Sequence, residues 1–192
     1  IRLNIENETN YDKPVKDGKV DVSVINKNQT LKYEIQKKFL KFKSGDKKNT
    51  YEGTIFFKPF YFQSKLNYEG ISTRNLFSND NIFVDLITSE ILNNKNLNAD
   101  IDLKIKDITN IDELNDLNLK IGLDQGSIVF SNSNIMWKDD LKIILNESLL
   151  TYNDYKIKLI GRLNFDFKNL ENFYKSFQIK KNYRKNIRNI EI

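Results

Sequence analysis

Along most of this chain apolar and polar residues alternate one by one, the mark of strands with one dry face and one wet face. The pattern runs through Leu97, Ala99, Ile101, Leu103 and Ile105, with Asn98, Asp100, Asp102, Lys104 and Lys106 facing the other way. It returns at Leu117, Leu119, Ile121 and Leu123. The longest instance is Tyr155, Ile157, Leu159, Gly161, Leu163, Phe165 and Phe167. Shorter ones are Val20, Val22 and Val24, then Leu31, Tyr33 and Ile35, then Ser64, Leu66 and Tyr68. A helix repeats near 3.6 residues, whereas these segments repeat at 2.

Short turn signals separate the strands: Asp17-Gly18, Asn26-Lys27-Asn28, Ser44-Gly45-Asp46, Asp124-Gln125-Gly126 and Asn153-Asp154. Connections of that length join antiparallel neighbours, so the pattern predicts a meander. Pro59, in Phe56-Phe57-Lys58-Pro59-Phe60, is expected to break its strand or lie at an edge. Two segments change period. From Asn79 to about Asn94 the apolar residues Ile82, Phe83, Leu86, Ile87, Ile91 and Leu92 keep helical spacing, with Asn79 or Ser78 as candidate cap. From Asn169 to about Phe177, Leu170, Phe173, Tyr174 and Phe177 form a second amphipathic stretch. The predicted fold is mainly β, a long curved antiparallel sheet with two short amphipathic helices, and 1–192 reads as a single segment.

Such a sheet has one apolar face to cover. Burying a Leu, Ile or Phe side chain is worth about 1.5–3 kcal/mol, so a face of this size is not left in water. A second sheet, closure into a barrel, the two helices, or lipid chains would each serve. Periodicity alone leaves these alternatives open.

Composition narrows the chemistry. The 192 residues include no Cys and no His, which removes thiol chemistry and the commonest general base and transition-metal ligand. Lys and Arg number 31 against 26 Asp and Glu, a formal charge of +5. The two signs alternate along the strands, which argues for mixed solvated faces and against a nucleic-acid groove. No apolar run approaches the roughly 20 residues of a membrane-spanning helix. The chain opens in mid-pattern, without an initiator Met or signal peptide. It therefore reads as a piece of a longer protein.

Residues 51–71 (YEGTIFFKPFYFQSKLNYEGI) precede the first helical segment, and NLNADIDLKIKDI follows it. Then come LNLKIGLDQGSIVFSNSNIMWKDDLKIIL and YKIKLIGRLNFDFKNLENFYKSFQIKKNYRKNIRNI. This order resembles the C-terminal region of AsmA-like proteins of Gram-negative bacteria. There an L-x-G-x-L strand follows a strand pair built round an Asp-Gly turn, and a short aromatic helix comes after. The resemblance is strongest over 50–192. It implies a periplasmic β-groove protein, anchored in the inner membrane by a segment outside this chain. The implied activity is non-enzymatic phospholipid binding and transfer that supports outer-membrane assembly. The family brings no catalytic residues and no cofactor. Its working surface, the apolar groove face, maps here onto Leu97, Ala99, Ile101, Leu103, Ile105, Leu117, Leu119, Ile121, Leu123, Ile157, Leu159, Leu163 and Phe165. The implied partners are phospholipid acyl chains, with protein partners unknown. The alternatives are an outer-membrane β-barrel segment and a β-sandwich adhesion or scaffold module.

The remaining candidates are weak on their own terms. Asp100 and Asp102 share a strand face, but no His or oxygen-ligand loop accompanies them, so neither a metal site nor a glycosidase pair is expected. Ser127, Ser131 and Ser133 lack a nucleophile elbow, and the seven glycines form no phosphate loop. The densest basic run, Lys180, Lys181, Arg184, Lys185 and Arg188, offers contacts to lipid headgroups or simply a solvated face. Trp137 is expected in a packing role.

Overall fold

Strands that alternate in this way meet their burial requirement by pairing side by side, so that their apolar faces join. The computed structural model describes residues 3–6, 15–24, 27–44, 47–73, 94–153 and 156–192. Its strands are β1 (Leu3–Glu6), β2 (Lys16–Val24), β3 (Lys27–Ile35), β4 (Phe39–Ser44), β5 (Thr50–Phe57), β6 (Phe60–Ser72) and β7 (Asn98–Thr109). They continue with β8 (Leu114–Asp124), β9 (Ser127–Phe130), β10 (Ser133–Trp137), β11 (Leu141–Asn153), β12 (Lys156–Phe167) and β13 (Asn189–Glu191). All belong to one sheet whose spatial order follows the chain, except that β9 and β10 share the place between β8 and β11. The protein is mainly β.

One pairing departs from the predicted meander. β6 and β7 run parallel, in register from Tyr61 opposite Asn98 to Ser72 opposite Thr109. The chain leaving Ser72 must therefore travel back along β6, roughly 35 Å at about 3.3 Å per residue, before β7 begins. A parallel pair needs a long crossover, and residues 73–97 supply it. The helix expected from Asn79 to about Asn94 falls in that stretch and lies outside the described residues.

Of the turn signals, Asp124-Gln125-Gly126 falls where expected, while Asn26, Gly45, Asp46 and Asp154 lie outside the described residues. Gln125 (φ 48°) and Gly126 (φ 83°) form a two-residue type I′ turn between Asp124 and Ser127, the geometry that suits the twist of paired strands. Asn153 pairs with Lys156 where β11 meets β12. Lys58-Pro59 joins Phe57 to Phe60, so the proline ends a strand. Asp17-Gly18 does not turn. Both residues lie within β2, where Gly18 lets the Tyr33 ring of β3 lie across it: a Cβ there would come within 2.5 Å of the phenol oxygen.

Bulges bend the C-terminal third. Asn132 (φ 50°) separates β9 from β10, and β11 is bulged between Asn146 and Leu149, with Glu147 at φ 46°. Opposite that bulge stands Gly161, where an added Cβ would lie 2.8 Å from the Cα of Ser148. Bulges aligned on neighbouring strands increase the local twist of a sheet.

The second expected helix is present as α1 (Leu170–Ser176), capped by the Asn169 side chain, which accepts from the Asn172 N–H at 3.1 Å. It seats Phe173 against Phe167 (ring centroids 5.0 Å apart) and Trp137 (5.7 Å). Trp137 thus packs between sheet and helix, with Phe177 at 5.2 Å beside Phe173. The turn before β11 is tied to the same helix, since Asn172 donates to Asp140 at 3.2 Å.

Candidate functional site

Register assembles the apolar positions into rows that cross the sheet. One row runs unbroken over nine strands: Ile35, Leu40, Ile55, Phe62, Ala99, Leu123, Ile128, Leu150 and Leu159. A second pairs Tyr51, Leu66, Leu103 and Leu119, and a third pairs Tyr68, Ile105 and Leu117. Beyond β8 the face continues through Leu145 opposite Leu163, Ile143 opposite Phe165 and Leu141 opposite Phe167. The main packing of each strand is against its neighbours in the sheet, so the described strands form a single layer. Among the described residues that layer is open: β1 pairs only with β2, and β13 only with β12.

Exposure along this face is graded. Leu103 and Ile105 are 2% and 1% exposed and belong, with Tyr51, Tyr68, Ile71 and Ile108, to a central core. Ala99 and Leu123 are buried in a second cluster with Ile128. Of the residues singled out from sequence, these four are sealed. Leu97, Ile101, Leu117, Leu119, Ile121, Leu163 and Phe165 are half-buried, and Leu159 is 55% exposed. Ile157 pairs with Tyr152 in backbone register, and its side chain lies outside those described. The accessible part of the face therefore lies at its flanks, not at its centre.

Inside the core, Tyr68 meets Tyr51 edge-on, with ring centroids 5.2 Å apart. Burial first, and then the hydrogen bond with Tyr51, push the Tyr68 phenol well above its ordinary value.

The opposite face is charged, and it carries two depressions. One, of about 850 Å³, takes the outward residues of five strands as walls: Asp17, Glu34, Lys41, Thr54 and Gln63 on one side, Lys19, Lys32, Lys43, Glu52 and Lys65 on the other. The second, of about 740 Å³, shares Gln63, Ser64 and Lys65 and continues across β7 and β8 to Val129 and Ser131. Charges within this trough largely offset one another: Lys43 lies 3.8 Å from Glu52, and Asp102 stands between Lys65 and Lys120. Asp100 accepts a hydrogen bond from the Tyr61 hydroxyl, and that bond, ahead of partial burial, raises the Tyr61 phenol above its usual value. The Asp100/Asp102 pair is thus split between two unlike partners. Among the described residues no group of three acidic side chains could hold a metal ion.

The basic run separates into two kinds of residue. Lys180, Lys181 and Lys185 are exposed, whereas Arg184 is fastened into the fold. Its guanidinium donates to Glu171 at 2.8 Å and to the Ile179 carbonyl at 2.9 Å, and lies over the Tyr174 ring. Of the four expected headgroup contacts, Arg184 is committed to holding the segment after α1 in place. The Tyr174 hydroxyl fixes the same segment through the Lys185 carbonyl.

Leu40, Ile55, Phe62, Ile128 and Leu150 complete the longest row beside Ile35, and the sequence pattern did not mark them. All five have an apolar neighbour in sequence (Phe39, Phe56, Tyr61, Val129, Leu149), which blurs the alternation there, and only register places them in one line. No family model, curated protein or solved structure matches the chain.

Proposed function

We propose that this chain is a non-enzymatic lipid-binding and transfer module, in which an open sheet shields phospholipid acyl chains on its apolar face. The observation that carries the reading is the row from Ile35 to Leu159, apolar on nine consecutive strands of a single layer. A soluble sheet ordinarily covers such a face with a second layer; here α1 packs beside Trp137 and Phe167 at one end. Half-exposed residues along the flanks give acyl chains apolar surface at about 25 cal/mol per Å² removed from water. Headgroups would stay at the solvated margin, and chains would move along the rows without any covalent step. Among the described residues, the single layer favours this reading over a sandwich, and the unpaired outer edges of β1 and β13 favour it over a closed barrel. With the AsmA-like motif order, the reading extends to a periplasmic protein held at the inner membrane by a segment outside this chain and supporting outer-membrane assembly.

The test is native mass spectrometry and lipid extraction of the purified chain. Co-purifying phospholipid is expected, with severalfold less in Leu159→Asp and Leu163→Asp, whose sites are exposed or half-exposed and tolerate a carboxylate without unfolding the sheet. Leu103→Asp is unsuitable because burying an unpaired carboxylate at a 2% exposed site destabilises the fold itself. Absence of bound phospholipid in the folded wild-type chain, or equal loading of both variants, overturns the proposal.

A further inference from the structure

At one end of the sheet three neighbouring strands break the alternation together. On the charged face the positions before this end are Lys41 and Lys43 in β4, Glu52 and Thr54 in β5, and Gln63 and Lys65 in β6. In the last rung they become Phe39, Phe56 and Tyr61, paired directly across the strands. Phe57 and Phe60 close the same hairpin on the apolar face. Aromatic rings therefore project from both faces of this rim. Phe39 and Phe56 meet edge-on with centroids 6.3 Å apart, and Phe56 and Tyr61 lie 6.1 Å apart. Phe56, Phe57 and Phe60 remain 38%, 40% and 41% exposed.

A cationic fringe surrounds these rings. The turn between β3 and β4 is bonded to the hairpin, since Phe57 N–H donates to the Lys38 carbonyl at 3.0 Å. That brings exposed Lys37 and Lys38 beside exposed Lys58, and Lys41 lies 5.0 Å over the Phe39 ring. Among the described residues, Glu34 accepts from Gln36 at 2.6 Å, and Asp100 from Tyr61. Rings on both faces with lysines around them suit one environment, the boundary between acyl chains and headgroups. There aromatic residues concentrate, and basic residues meet lipid phosphates.

We propose that the rim formed by Phe56, Phe57, Phe60, Lys37, Lys38 and Lys58 inserts into the surface of an anionic phospholipid bilayer. The proposal stands whether or not the apolar face carries acyl chains, because a rim can dock a sheet that transports nothing.

Flotation of the full chain with vesicles of phosphatidylcholine, with and without phosphatidylglycerol, tests it. Binding is expected to the vesicles containing phosphatidylglycerol and to weaken as salt rises. The variants F57S/F60S and K37S/K38S/K58S are each expected to lose at least about tenfold in partitioning, while K104S/K106S, which removes charge from exposed positions of β7, keeps it. All these sites are exposed, and circular dichroism checks that each variant is folded. Three results overturn the proposal: no flotation of the wild-type chain, equal flotation of the rim variants, or rim variants that alter only self-association in sedimentation. Bound phospholipid is scored separately on chain never mixed with vesicles, so failure of docking and failure of lipid carriage are distinguishable.

Discussion

At the scale of single residues, close approach between strands decides what the sheet tolerates. Gly53 lies where a Cβ would stand 2.5 Å from the Gln63 carbonyl oxygen and 2.5 Å from the Phe42 ring. The first neighbour is backbone and cannot swing aside. Gly53→Ala is therefore expected to destabilise by about 1–3 kcal/mol in urea unfolding. Gly18→Ala would meet only the tip of the Tyr33 side chain, and Ala recovers roughly 0.5–1 kcal/mol of backbone entropy over Gly. A near-neutral result is expected there, and equal losses at the two sites would show that ring displacement is as costly as backbone displacement. Tyr68 sets a pH limit. Its phenol is raised in the folded state, so its contribution to stability is complete below the unfolded value of about 10 and falls as pH rises beyond it. The slope is up to about 1.4 kcal/mol per pH unit. Tyr68→Phe is expected to flatten the stability–pH curve above that point, read by thermal unfolding across an alkaline series.

At the scale of elements, α1 was legible from its spacing because Leu170, Phe173, Tyr174 and Phe177 fall on one side and Asn169 supplies the cap. Asn169→Ala is expected to cost about 1 kcal/mol. Phe173→Ala removes the ring that seats the helix on Trp137 and Phe167, so a red shift of Trp137 emission should accompany a loss of about 2 kcal/mol. An unchanged emission maximum would mean that Phe177 alone shields the indole. The parallel pairing of β6 with β7 was missed for a specific reason. Every turn recognised in the sequence was short and implied a hairpin, but residues 73–97 are long enough to return the chain to its starting end. A helical pattern between two strands is itself the mark of a crossover. Asp17-Gly18 misled in the opposite direction, since a glycine that relieves a cross-strand ring has the same local sequence as one that turns.

At the scale of the whole molecule, one layer carries an apolar face, a charged face with a trough, and an aromatic rim. The loss of lipid expected on Leu159→Asp and Leu163→Asp, and the loss of vesicle binding on the rim substitutions, address two of these surfaces separately. Both rest on side chains that are exposed or half-exposed, where a substitution alters contact without removing the core. The core lies between Tyr51 and Ile108, and there sequence periodicity overestimated accessibility: Ala99, Leu103, Ile105 and Leu123 share the alternation of Leu119 and Leu163 but are sealed.

The sequence by itself determined that the chain is a run of strands, which side of most strands is apolar, where the Asp124–Gly126 hairpin turns, and that α1 follows β12. These are local properties, set by a period of 2 or 3.6 and by turn chemistry within a few residues. Tertiary structure alone decided the parallel β6–β7 pair, the join of apolar positions into rows, the burial of some and exposure of others along one face, and the gathering of Phe39, Phe56, Phe57 and Phe60 with the lysines of a neighbouring turn. Those features depend on which strands become neighbours and in what register, and a pattern of period 2 is identical for every choice of neighbour.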